Sequence, residues 1–285
     1  MIGMAPGEAR PLKERDFRRL AGLIHARSGI RMPPSKKTFL EGRMRRHMRG
    51  LGFGDLAEYC RWLFEQGGLA QDETELIDAV TTNKTEFFRE PHHFEFLAAV
   101  ALPALRAGGS GTERPLRIWS AGCSNGAEPY SLAMVCAEFA RSSAGFRFEI
   151  LASDISTEML RQARRAIYPY AAIEPVPIEL RKRYLLRDDA RGEVRIAPAL
   201  RQTVTFVHHN LMSEPCPAHR STDIVVCRNL LIYFDRPTQR EVLTRLCRHV
   251  RPGGYLILGH SEGTVGLTLP LQPVAPTTFF RESAG

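Results

Sequence analysis

The sequence predicts an α/β protein: a doubly wound, mostly parallel sheet with a small N-terminal helical domain and an inserted antiparallel β-subdomain. Three observations predict it. From residue 116 onward, short apolar runs alternate with helical patterns. Residues 12–80 carry helical spacing alone. Between those blocks the chain breaks at Ala107-Gly108-Gly109-Ser110-Gly111, a flexible stretch.

In the first block Phe17, Leu20 and Leu23/Ile24 recur at helical spacing, and Gly29 follows as a stop. Ser35 is placed to cap a second helix. On a wheel of 100° per residue, Leu40, Met44, Met48 and Leu51 share one stripe of it. Arg43, Arg45, Arg46 and Arg49 lie around the rest, so the helix shows a basic face. That face reads either as a solvated surface or as a docking surface. Asp55 is placed to cap a third helix with Leu56, Tyr59, Cys60 and Leu63 inward, and Leu76, Ala79 and Val80 close a fourth. Residues 83–106 bridge to the second block, with Phe94, Phe96 and Leu97 feeding a helix.

In the second block strands are predicted at 116–120, 148–153, 204–207, 223–227 and 255–259. Helices are predicted at 129–141, 157–166 and 237–250. Pro276 supplies a turn before an edge strand at Thr277-Thr278-Phe279-Phe280. Residues 170–203 interrupt the alternation. There Tyr184-Leu185-Leu186 and Val194-Arg195-Ile196 flank a charged turn and read as a hairpin. The expected division is a helical domain at 1–82 and a sheet domain at 83–285, with the insertion at about 184–203.

Composition bounds the function. At roughly 150 residues per domain, 285 residues make one large or two small domains. A hydrophobic content of 44% with 25% charged residues fits a soluble protein with a full core. No apolar run reaches the roughly 18 residues of a membrane span. Met1–Glu8 lacks an apolar signal core, so a cytoplasmic protein is expected. The six cysteines are scattered without a Cys-x-x-Cys pair and read as reduced thiols. His92-His93 and His208-His209 are adjacent pairs that cannot share a helix face, so no metal is expected. Net charge is +8, and within 36–49 six Lys and Arg residues face only Glu41. Such a patch suits an acidic partner: nucleic acid, anionic lipid or an acidic protein surface.

The chemistry-bearing residues cluster at strand ends. Arg117-Ile118-Trp119-Ser120-Ala121-Gly122-Cys123-Ser124-Asn125-Gly126-Ala127-Glu128-Pro129 reads as a strand, a glycine loop and a helix start. Glycines let the backbone approach a ligand, and the helix N-terminus offers free N–H groups. Gly122 and Gly126 do not have the dinucleotide spacing, and a plain tight turn is the alternative. Asp154 ends the next strand, where an acid accepts both ribose hydroxyls; the alternative is a helix N-cap. Asn210-Leu211 follows the third strand, where an Asn reads an adenine edge or forms a turn. Arg228-Asn229 ends the fourth. All fall at the carboxyl edge of the sheet, where ligands of such folds bind.

In that order, the glycine loop, the acid and the turn Arg251-Pro252-Gly253-Gly254 resemble a class I S-adenosylmethionine-dependent methyltransferase. Thr82-Asn83-Lys84-Thr85-Glu86-Phe87-Phe88-Arg89, Ala121 through Ser131, Cys227-Arg228-Asn229-Leu230-Leu231-Ile232-Tyr233-Phe234-Asp235 and Gly259-His260-Ser261-Glu262 narrow this. Together they resemble the bacterial chemotaxis receptor glutamate O-methyltransferases over nearly the whole chain. The resemblance implies S-adenosyl-L-methionine as cofactor, S-adenosyl-L-homocysteine as product, and glutamates on chemoreceptor cytoplasmic helices as substrate. By matched position, Asn83, Thr85 and Arg89 cover the cofactor. Glu128 is expected at its amino-acid end, Asp154 at its ribose, Asn210 and Leu211 at its adenine, and Arg228 and Asn229 at its sulfonium side. Arg89 and Tyr233 are the candidates at the methyl-transfer rim; for Tyr233 the alternative is packing beside Phe234. Arg43, Arg45, Arg46 and Arg49 are the candidates for substrate docking. The hairpin turn is shorter than in members that grip a receptor tail peptide, so no dependence on a receptor C-terminal tail is expected. No general base is needed, because a glutamate with a pKa of about 4.3 is already an anion at neutral pH. Two other readings are an RNA methyltransferase following phosphates with the basic helix, and a cofactor-binding regulatory module without turnover. The basic face is confined to one helix with no interleaved aromatic platform, so neither nucleic acid nor membrane insertion is expected.

Overall fold

The computed structural model describes residues 11–218, 221–262 and 271–282. The expectation for Met1–Glu8 lies outside them. The chain divides into two compact units, Met1–Thr82 and Asn83–Gly285.

The first unit carries α1 (Glu14–Ser28), α2 (Lys37–Gly50), α3 (Leu56–Glu65) and α4 (Leu69–Val80). Helix α1 buries Phe17, Leu20 and Ile24 and stops where Gly29 turns left-handed and donates to the His25 carbonyl. Helix α2 buries Leu40, Met44 and Met48. Leu51, expected on the same stripe, is instead 45% exposed. The helix ends at Gly50, and the N–H groups of Leu51, Gly52 and Phe53 turn back to the Met48 and Arg49 carbonyls, which takes Leu51 off the wheel. Phe53 packs instead, its ring 5.1 Å from that of Trp62. Ser35 does not cap α2: it lies in a 3₁₀ turn, Pro34–Lys36, and α2 starts without a side-chain cap. Asp55 does cap α3, accepting from Ala57 N at 2.8 Å. The buried Asp72 of α4 accepts from Tyr59 Oη at 2.7 Å and meets His47 Nε2 at 2.8 Å, a polar knot that apolar periodicity cannot reveal.

The second unit begins with an extended strap and a continuous helical path: α5 (Pro91–Phe96), a π-helical turn (Leu97–Ala101) and α6 (Leu102–Ala107). Then follow β1 (Leu116–Ala121), α7 (Ala127–Arg141), β2 (Phe148–Asp154), α8 (Thr157–Arg165) and β3 (Ile167–Pro169). After these come α9 (Ile178–Tyr184), β4 (Leu185–Asp188), β5 (Glu193–Ile196), α10 (Pro198–Arg201) and β6 (Val204–His208). The chain closes with β7 (Thr222–Cys227), α11 (Arg236–His249), β8 (Val250–Leu258), β9 (Gln272–Ala275) and β10 (Thr278–Phe280).

Seven strands form the main sheet in the order β6-β2-β1-β7-β8-β10-β9. The pairs β1·β2, β1·β7, β2·β6 and β7·β8 are parallel, and β10 runs antiparallel to both its neighbours. The order reverses between β1 and β7, which creates a ligand crevice at the carboxyl ends of these two strands. Helices packed on the sheet bury one contiguous core, including Leu116, Ile118, Tyr130, Ile150, Ile224 and Ile257. Strand β7 is buried along its whole length. At its foot the fully buried Asp223 accepts from Arg114 Nη2 at 2.6 Å, Ser110 Oγ at 2.7 Å and Arg117 N at 2.8 Å, and pairs with Arg251. Burial alone would raise this carboxyl, yet those donors hold it below the usual range.

The predicted hairpin is β4 with β5, and it gains a third antiparallel strand, β3, in the order β3-β5-β4. Strand β3 is three residues ending in a proline, too short to show periodicity. Among the described residues no helix is long and apolar enough to cross a membrane. All six cysteines are free, five of them buried.

Candidate functional site

The carboxyl ends of β1, β2, β7 and β8 point to one edge, because these strands run parallel. At the end of β1 the backbone turns left-handed at Gly122, Ser124 and Gly126, with φ of 83°, 49° and 91°. Gly122 N and Cys123 N donate to Ser153 O at 2.8 and 2.9 Å, so the loop is stitched to β2. A Cβ on Gly122 would stand 3.1 Å from Leu230 Cδ2, and one on Gly126 3.0 Å from the Tyr168 hydroxyl. Both positions therefore need glycine for space as well as for φ. Gly126 then caps α7, whose first turn carries Glu128.

Asp154 is buried at the end of β2. Its Oδ2 accepts from Ser124 N at 2.7 Å and its Oδ1 from Ser156 N at 2.8 Å. The cap of α8 is Ser156, which accepts from Met159 N, so the helix-cap alternative for Asp154 does not hold. Asn210 lies two residues past β6, just after His209, whose N donates to the Asp154 carbonyl at 3.0 Å. The Asn210 side chain accepts from Met212 N at 3.0 Å, so it forms the turn that was its alternative reading. Leu211 O accepts from Arg245 Nη1 at 2.9 Å.

Arg228, with a side chain only 3% exposed, lies between two carboxylates, 3.5 Å from Glu90 and 3.6 Å from Glu128. It also donates to the Arg89 carbonyl. Its Nε has no hydrogen-bond partner among the described residues. Burial lifts the Glu128 carboxyl above its ordinary range, opposed by the Arg228 charge and by Ser120 Oγ, which donates at 2.7 Å. Asn229 has φ of 58°, and its Nδ2 donates to Glu90 Oε1 at 3.1 Å.

The strap is tied down at three points. Ser124 Oγ donates to Asn83 O at 3.1 Å, Phe88 N donates to Ser131 Oγ at 3.0 Å, and Arg228 holds Arg89 O. Thr85 sits half-buried between them. The Arg89 guanidinium turns back to Lys84 O at 3.1 Å. Tyr233 lies in a 3₁₀ turn, Leu231–Tyr233, half-buried beside the buried Phe234. That turn is fixed from behind by the buried Glu262, which accepts from Leu230 N, Leu231 N and Gly259 N, each at 2.6 Å.

The structure thus groups Asn83 and Asp154 through Ser124, and Arg89, Glu128 and Asn229 through Arg228 and its partner Glu90, while Gly122 is stitched to Ser153 of β2. The residues missed from the sequence are Glu90, Ser120, Ser124, Ser131 and Glu262. Glu90 directly follows Arg89 and Glu262 closes Gly259-His260-Ser261-Glu262, so the signal was adjacency to a motif already singled out. Among the described residues no group of three or more His, Cys, Asp or Glu could hold a metal ion.

On α2 of the first unit, Arg46 and Arg49 are exposed. Arg43 lies over the Phe39 ring at 5.2 Å. Arg45 is not part of an open basic face: it is 16% exposed and its Nε donates to Glu41 at 3.0 Å, the helical i,i+4 pairing.

The chain was compared with known proteins. Residues 15–81 match the family described as CheR methyltransferase, all-alpha domain, and residues 83–280 match CheR methyltransferase, SAM binding domain. "Chemotaxis protein methyltransferase 2" of Pseudomonas aeruginosa is 38% identical over 93% of this chain and 92% of its own length. "Chemotaxis protein methyltransferase" of Borreliella burgdorferi is 36% identical over 93% of each chain, and that of Escherichia coli 37% over 90% and 86%. The doubly wound sheet, its helical companion and these matches converge: the chain belongs to the CheR methyltransferase family.

Proposed function

We propose that this methyltransferase transfers the methyl group of S-adenosylmethionine to glutamate side chains on the cytoplasmic helices of chemoreceptors. The products are glutamyl methyl esters and S-adenosylhomocysteine. The observation that carries the reading is the Ser124–Asp154 hydrogen bond at the β1 and β2 ends, in a chain that matches both family domains in order. It fixes the glycine loop against the acid that would accept the ribose hydroxyls.

Two features fit the residues to this cofactor. Gly122 turns the loop tightly at the strand end, packed where a Cβ would crowd Leu230, and Arg228 keeps a buried nitrogen without a hydrogen-bond partner among the described residues. Asp154 would hold the ribose, Glu128 the amino-acid end, Asn210 and Leu211 the adenine, and Arg228 and Asn229 the sulfonium side. Asn83, Thr85 and Arg89 would cover it. When bound, the cofactor supplies an electrophilic methyl group on a cationic sulfur. The chain's own part is positioning and exclusion of water. The substrate carboxylate arrives already ionised, and a dry site favours the approach of an anion to a cation because both charges disperse. Tyr233 and Arg89 stand at the rim where that carboxylate enters. Arg46 and Arg49 of α2 offer an electropositive surface to a glutamate-rich helix, in a cytoplasmic setting and without need of a receptor tail. Losing one negative charge per ester then alters the receptor's packing equilibrium.

The test is incubation with methyl-labelled cofactor and either receptor-rich membranes or total RNA. Label is expected on receptor protein and is expected to leave as volatile methanol in alkali, as carboxyl esters do. Alkali-stable label, or label on RNA, would overturn the assignment.

A further inference from the structure

Glu90 ends the strap with φ of 59°, and Phe88 two residues earlier has φ of 51°. Both are left-handed conformations that residues with a Cβ adopt only when their surroundings impose them. The Glu90 side chain shows what imposes this one. Its Oε1 accepts from Asn229 Nδ2 at 3.1 Å, and both oxygens lie 3.2 Å from His260 N. Arg228 Nε is 3.5 Å from Oε2 and His93 Nδ1 3.4 Å. One carboxylate therefore joins the strap, the first turn of α5, the end of β7 and the end of β8.

Arg228 is shared by Glu90 and Glu128, with no other carboxylate among the described residues ion-paired to it. Burial alone would raise the Glu90 carboxyl, but Asn229, Arg228 and His260 N hold it below its usual range, so it is ionised at neutral pH. His93 supplies no compensating charge, since burial and the Arg228 charge push it down to about 4. The Arg89 guanidinium turns to Lys84 O and pairs with neither carboxylate. Glu262 satisfies itself on backbone N–H groups. Two carboxylates thus flank one buried guanidinium at the strand ends.

We infer that Glu90 is a positioning residue that pins the strap over the cofactor edge and, through its own negative charge, biases that edge towards the sulfonium cofactor over the neutral thioether product. This rests on the methyltransferase reading above. S-adenosylmethionine carries one more positive charge than S-adenosylhomocysteine and otherwise differs by a methyl group. A side chain that only props the strap affects both ligands alike. A side chain that also sets the charge affects the cation more, because opposite charges attract strongly where water is excluded.

The experiment is calorimetric titration of the full chain, Glu90→Gln and Glu90→Asp with each ligand, alongside thermal melts. Gln keeps the shape and an acceptor but removes the charge. Its affinity for S-adenosylmethionine is expected to fall by at least about tenfold and that for S-adenosylhomocysteine by about threefold. Asp keeps the charge but shortens the reach, so both affinities fall while their ratio stays as in the unaltered protein. Equal losses for both ligands in Glu90→Gln, or no loss, overturn the inference while leaving the methyltransferase reading intact. If Glu90→Gln does not fold, Glu90→Ala decides: a larger loss for S-adenosylmethionine than for S-adenosylhomocysteine supports the charge role, and equal losses overturn it. Failure of the unaltered protein to bind either ligand sinks both readings together.

Discussion

The hydroxyl of Tyr168 donates to the carbonyl oxygen of Asn125 at 2.7 Å, so the three-stranded antiparallel sheet holds the glycine loop of the main sheet. The Tyr168 ring also packs edge-on against Phe87 of the strap, 4.9 Å between centroids. The insertion is thus a brace for the site. Tyr168→Phe keeps the ring and removes the hydrogen bond, which is worth about 1 kcal/mol net. Calorimetry should show cofactor affinity falling by about fivefold. An unchanged affinity would mean that the loop holds its shape unaided.

Asp154→Ala removes an acceptor used by both Ser124 N and Ser156 N and proposed for the ribose. Hydrogen bonds to a charged group contribute about 1.5–3 kcal/mol, so binding should weaken at least about tenfold. Titration with S-adenosylhomocysteine checks this, and equal affinity would remove Asp154 from the site.

Arg46 and Arg49 are the residues to substitute on the basic helix. Arg45 is engaged with Glu41, whereas Arg46 and Arg49 are exposed. Arg46→Glu with Arg49→Glu should cut receptor methylation several-fold and leave cofactor affinity and melting temperature as they were. Exposed ion pairs are individually worth only about 0–1 kcal/mol and are screened by salt, so the unaltered rate should fall as ionic strength rises. Deleting a receptor's C-terminal tail should leave the rate unchanged. Normal methylation by the double variant would reduce the basic face to a solvated surface.

His93 gives a pH signature. It is buried, its Nε2 is 2.9 Å from Thr277 Oγ1, and burial with the Arg228 charge lowers it from 6.5 to about 4. A depressed folded value means that the unfolded chain binds more protons between those limits. Stability is therefore full above about 6.5 and falls as pH drops towards 4, by up to about 3 kcal/mol. Glu90, also depressed when folded, adds loss in the same direction at lower pH. Denaturant midpoints measured at pH 7 and pH 5 should separate widely for the unaltered protein and much less for His93→Phe. Parallel shifts would show that His93 does not carry the effect.

The strands were legible because β1, β2, β7 and β8 are apolar runs, and Asp154, Arg228 and Asn229 because they end them. Helix α2 was legible up to Gly50 but not beyond, since periodicity cannot say where a helix turns off its wheel. Glu90 and Ser124 stayed hidden because left-handed residues other than glycine set their directions, and no sequence pattern marks those. The Asp72–Tyr59 bond and the Arg228 cluster join residues 13 and 139 positions apart, which only the folded chain brings together. Arg45 was misplaced because a wheel shows which way a residue points but not whether an acid one turn away has claimed it.

Asp223 is anchored at the foot of β7, and Arg228 directly follows the strand's last residue, delivered at its head. Between them β7 is hydrogen-bonded on both sides to parallel neighbours and has no solvent-facing residue. A strand held this way moves as part of the whole sheet or not at all. The floor of the cleft therefore exists before any ligand arrives, and an incoming cofactor meets finished geometry instead of having to create it. Substitutions at Asp223 should show up in denaturation curves, and those at Arg228 in binding isotherms, so a single strand separates the cost of folding from the work of recognition.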